Sequence, residues 1–66
     1  MNIPKLRGKM VEKGYTVETL SGALDIDKST LYRKLSNGEG FTVGEAQKIK
    51  TTLDLTQEEA SDIFFA

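Results

Sequence analysis

Sixty-six residues permit one small domain, spanning 1–66, and the lack of cysteine and histidine excludes a disulfide framework and the common zinc sites. Burial through helix packing, or through a partner subunit, must therefore hold the fold. No apolar run approaches the ~20 residues of a membrane span, and Met1-Asn2-Ile3-Pro4 lacks the basic-then-apolar pattern of a secretory signal, so the expected setting is the cytoplasm.

Pro4 suits the first turn of a helix, and Ile3, Leu6 and Met10 then recur at helical spacing until Gly14 stops the run. Thr16 is a good N-cap for a short second helix over about 17–24, whose expected inner face is Leu20, Ala23 and Leu24. Asp25 and Ile26 form a tight link. Asp27 is the expected cap of a third helix, with Leu31 and Leu35 facing inward and Ser29, Tyr32, Arg33 and Ser36 facing the other way. Asn37-Gly38-Glu39-Gly40 ends it. Thr42 with Glu45, and Thr56 with Glu59, fit the capping-box pattern and open two further helices. The fourth has an expected inner face of Val43, Ala46, Ile49 and Leu53, and the fifth one of Ala60, Ile63 and Phe64. No alternating stretch long enough for a strand appears, so the expected class is all-α with five short helices.

The net charge of −1 hides a gradient. Residues 1–36 carry seven basic side chains (Lys5, Arg7, Lys9, Lys13, Lys28, Arg33, Lys34) against Glu12, Glu18, Asp25 and Asp27, giving +3. Residues 37–66 carry Lys48 and Lys50 against Glu39, Glu45, Asp54, Glu58, Glu59 and Asp62, giving −4. Either this is ordinary scatter, or the chain presents a basic half to an anionic partner and turns the acidic half away.

Two short helices joined by a tight turn, the second with a hydrophilic and partly basic face, can place that second helix in the major groove of DNA. Lys28 and Ser29 stand at its start, where a helix reaches deepest, and Arg33 lies one turn beyond Ser29. Arg33 is the foremost candidate base reader, since its fork matches guanine O6 and N7. Tyr32 either meets a sugar, a thymine methyl or a phosphate, or covers the flank of the core. Thr30 and Ser36 are small polar residues able to donate to DNA, although Thr30 can also serve the local backbone.

The run from Thr16 through Leu20, Leu24, Asp27 and Leu31 to Leu35, with the flanking helices, resembles the phage repressor/Cro (xenobiotic-response-element-type) helix-turn-helix family, and most of all short phage-associated regulators of Gram-positive bacteria. The resemblance covers nearly the whole chain. It implies a lambda-repressor-like five-helix domain in which helices two and three form the motif, and a homodimer on a palindromic double-stranded DNA operator. Transferred by position, it implies base reading by Lys28, Ser29, Tyr32 and Arg33. Backbone contacts fall on Thr16, Val17, Asn37 and Gly38, with Lys34 close by. Three positions depart from the family pattern: Val17 stands where Gln is frequent, Asp25 where the turn usually has Gly, and Met10 with Leu35 where many members bury an Arg–Glu pair. Asp tolerates positive φ better than most residues, so the turn is still expected. An apolar pair can replace a buried ion pair without loss of stability, so Met10 and Leu35 are expected to touch.

Ile63-Phe64-Phe65 places three large apolar residues in a row, and a small core hides two more easily than three. Phe65 is either a dimer contact or folds back over the first helix. Without histidine or cysteine, and with carboxylates scattered over helix faces, the chain is not expected to be an enzyme, and no cofactor, metal or small-molecule ligand is expected. The rival to DNA binding is a helical protein-interaction module or an antitoxin acting through a protein partner.

Overall fold

A computed structural model describes residues 1–38 and 40–65, so Glu39, part of the expected stop after the third helix, lies outside the described residues. Five helices follow in order: α1 (Ile3–Glu12), α2 (Val17–Leu24), α3 (Lys28–Asn37), α4 (Val43–Thr52) and α5 (Gln57–Phe64). No strand occurs among the described residues, so the class is all-α as expected.

Four of the five starts, all but that of α3, are set by a side-chain cap. Asn2 accepts from the Lys5 N–H at the head of α1. Thr42 and Thr56 accept from the N–H of Glu45 and Glu59, which reach back to the threonine N–H groups at 2.9 Å, completing two capping boxes. Thr16 and Thr19 form the same reciprocal pair at α2.

Three helices stop by one device. After α1, α2 and α4 the chain passes through a left-handed residue, Gly14 (φ 78°), Asp25 (φ 56°) and Asp54 (φ 52°). The next residue then donates its N–H five positions back: Tyr15 to Met10, Ile26 to Ser21 and Leu55 to Lys50. Each of these following residues is apolar or aromatic and packs in or against the core, which fixes the exit direction. Asp25 thus adopts the conformation expected of it.

The core joins all five helices: Leu6 and Met10, Leu20 and Leu24, Leu31 and Leu35, Ile49 and Leu53, then Leu55, Ala60 and Ile63. Met10 and Leu35 both belong to the one buried cluster. Helix α2 packs on both α3 and α4, while α5 packs on α1 and α4.

Two expected core residues are corrected. Val43 is 87% exposed, because at 3.6 residues per turn it stands about 120° around α4 from the fully buried Ile49. Ala23 is exposed; the buried arc of α2 runs through Leu20, Leu24 and Ser21 instead. Ser21 tolerates burial because its hydroxyl donates to the Glu18 carbonyl at 2.8 Å.

Three ion pairs cross the charge gradient. Lys5 pairs with Asp62 at 2.9 Å, Lys9 with Glu59, and Lys34 with Glu45 at 3.5 Å. Each pair joins a basic residue of the first 36 to an acidic residue of the remainder, so folding closes the two halves against each other.

The Lys9 ammonium, followed by the Thr56 backbone N–H, holds the Glu59 carboxyl down from its ordinary 4.5 to about 2. The Thr42 N–H does the same in direction for Glu45, with Lys34 adding to it. A depressed carboxyl contributes stability that is present above its unfolded pKa and is lost as pH falls through the folded one. Thermal melts followed by circular dichroism should show Tm falling between about pH 5 and pH 2. Glu59→Gln should lower Tm at neutral pH and shrink that fall; an unchanged acid profile would exclude the α1–α5 ion pair as its source.

Candidate nucleic-acid interface

Helix α3 is oriented by its two buried leucines. Leu31 and Leu35 are 0% and 2% exposed and lie four residues apart on one face, so Ser29, Arg33 and Ser36 fall on the opposite side. These three are exposed, as are Lys28 and Asn37, and Tyr32 is 60% exposed rather than folded over the core. A three-residue turn, Asp25 to Asp27, connects α2 to α3, which pack against each other.

The start of α2 and the outer face of α3 together enclose an open groove. Thr16, Val17 and Glu18 form one bank; Lys28, Ser29, Tyr32, Arg33, Ser36 and Asn37 form the other. All four expected base readers and four of the expected backbone or supporting residues, Thr16, Val17, Ser36 and Asn37, meet there.

The other expected residues lie elsewhere. Thr30 is half-buried on another flank of α3 and does not line the groove. Gly38 ends α3 at φ 63°, where glycine is the residue with least strain. Lys34 turns toward the loop after α3, donating to the Gly40 carbonyl at 3.3 Å and lying 5.7 Å from the centre of the Phe41 ring. With Glu45 also beside it, Lys34 fastens α3 to the start of α4. Phe65, 80% exposed, belongs to a separate apolar cleft between α4 and α5 that includes Met1, Phe41, Val43, Ala46 and Phe64.

Two groove features were not anticipated. Glu18 lines the groove beside Lys28 and Arg33, leaving its charged lining only one positive charge in excess. Asp27 holds the N-cap position of α3 but makes no side-chain capping bond; its carboxylate accepts instead from the Ser29 hydroxyl at 2.9 Å. Its expected role as a side-chain cap is therefore corrected: Asp27 holds the N-cap position through its backbone, and its carboxylate is turned to the hydroxyl two residues on.

No family model, curated protein or solved structure matches this chain.

The near bank of the groove depends on the Thr16–Thr19 pair, which ties down the first turn of α2. Thr16→Ala should cost about 1 kcal/mol of stability, seen as a lower urea midpoint at unchanged slope. An unchanged midpoint would show that this pair contributes nothing to the groove's support.

Proposed function

We propose that the chain binds double-stranded DNA sequence-specifically through the α2–α3 groove, as a helix-turn-helix transcriptional regulator of the Cro-like phage or prophage repressor type. The carrying observation is the convergence of Lys28, Ser29, Tyr32 and Arg33 with Thr16, Val17, Ser36 and Asn37 on one open surface between two packed helices. Donors and acceptors on α3 then address base edges in the major groove. The N–H groups at the start of α2 are suited to a phosphate, as helix termini are. The operator on this reading is an inverted repeat, read by two copies whose α3 helices stand about 34 Å apart. The setting on this reading is the cytoplasm of a bacterial or phage-infected cell; among the described residues no helix is long and apolar enough to cross a membrane.

Selection from random duplex DNA, read by sequencing, tests this directly. An enriched inverted repeat is expected, with affinity falling as salt rises, and Arg33→Ala should weaken binding to that duplex about tenfold to a hundredfold. Enrichment of no motif would sink the reading.

The apolar cleft between α4 and α5, with Val43 and Phe65 exposed at it, favours a protein contact alongside the DNA contact. A second copy of this chain is the occupant that the inverted repeat requires; an antitoxin-like role with a different protein partner is the second reading. Sedimentation of wild type and Phe65→Ser separates them: a dimer that becomes a monomer supports the first, and a monomer in both cases opposes it.

A further inference from the structure

The start of α3 carries an arrangement that restricts which base it accepts. Ser29 is exposed and lines the groove, and its hydroxyl proton is committed to the Asp27 carboxylate at 2.9 Å. A serine hydroxyl has one proton to give, so Ser29 offers the groove only lone pairs. The Asp27 carboxylate, exposed at the head of α3 and adjoining the groove rather than lining it, also offers only acceptors. Asp27 makes no side-chain bond to the α3 backbone, so its carboxylate is not consumed as a helix cap.

Base edges sort sharply against such a surface. Guanine presents two acceptors in the major groove, and thymine an acceptor beside a methyl group. Adenine presents an amino donor next to the N7 acceptor, which would face the carboxylate. Cytosine alone presents an amino donor with no neighbouring acceptor.

Building on the DNA-binding reading above, we propose that Asp27 and Ser29 act as one unit that selects cytosine at a fixed position in each half-site. Ser29 orients the carboxylate, and the cytosine amino group donates to it. Arg33, one turn along, addresses a different base pair, so the two ends of the reading face demand opposite chemistry: amino donors at the start of the helix, acceptors further on.

The test repeats the random-duplex selection with wild type, Asp27→Asn and Ser29→Ala, each checked for unchanged helical content. Wild type should favour cytosine about tenfold at one position of each half-site. Asp27→Asn, whose amide can also donate, should reduce that preference to about twofold or less while the other positions keep theirs. Ser29→Ala should weaken the cytosine preference at the same position only. A wild-type repeat without that cytosine, an Asp27→Asn repeat identical to wild type, or a uniform loss over all positions would overturn the proposal and leave DNA binding standing. Failure of wild type to enrich any repeat would overturn both.

Discussion

The burial of Leu31 and Leu35 is the constraint from which the rest of the molecule's outward chemistry follows. Truncating such a side chain typically costs about 2–5 kcal/mol, a large share of the roughly 5–15 kcal/mol that holds a small domain folded. A 100° rotation of α3 would carry Tyr32 into the place of Leu31, so the helix has one workable orientation. Helix α2 supplies the surface it packs on, through Leu20 and Leu24. The left-handed Asp25 and the Ile26 N–H bonded to Ser21 set the path between them. The core thereby determines which way the α3 residues of the groove face.

Charge plays a different part from the one the linear sequence implies. Lys5, Lys9 and Lys34 each meet a carboxylate from the later helices, at sites where such pairs are worth about 0–1 kcal/mol apiece. Their effect is to fix where α5 lies on α1 and where the loop after α3 lies on α4. They also remove those lysines from the positive field that a polyanion would meet, and Glu18 lowers it further within the groove. Under the proposed DNA-binding function, a surface of this kind would rely on the match between side chains and base edges more than on phosphate neutralisation.

What could be read in the sequence was local. Thr42 and Glu45, or Thr56 and Glu59, satisfy one another within a single turn, so the pattern of residues contains the interaction. The spacing of Leu31 and Leu35 likewise defined the face that displays Ser29, Arg33 and Ser36. Val43 and Ala23 were misplaced because an apolar residue in a helix of eight or ten residues can lie on either side of the buried arc, and only the neighbouring helices decide. The closure of the charge gradient was invisible for a related reason: Lys5 and Asp62 are 57 positions apart. Glu18 escaped notice because an acidic residue is the last type sought beside an anionic partner. Asp27 fitted the common capping pattern, and nothing in its spacing reveals that Ser29 takes its carboxylate instead.

The near-neutral groove and the apolar cleft bear on one another under the proposed function. A single reading helix with little net positive charge gains few released counterions, so one copy alone would hold a half-site weakly. Linking two copies through an interface makes the second contact intramolecular, which raises overall affinity by a large factor without any new contact to DNA. Val43 and Phe65, left outside the core by the geometry of α4 and α5, provide apolar area for such a link. A small domain does not ordinarily gain by leaving a phenylalanine 80% exposed. Discrimination then comes from Arg33 and the Asp27–Ser29 pair in each half, and the two copies combine it across the repeat. Weak electrostatics in each copy limits retention on unrelated DNA, and pairing restores affinity where both half-sites fit.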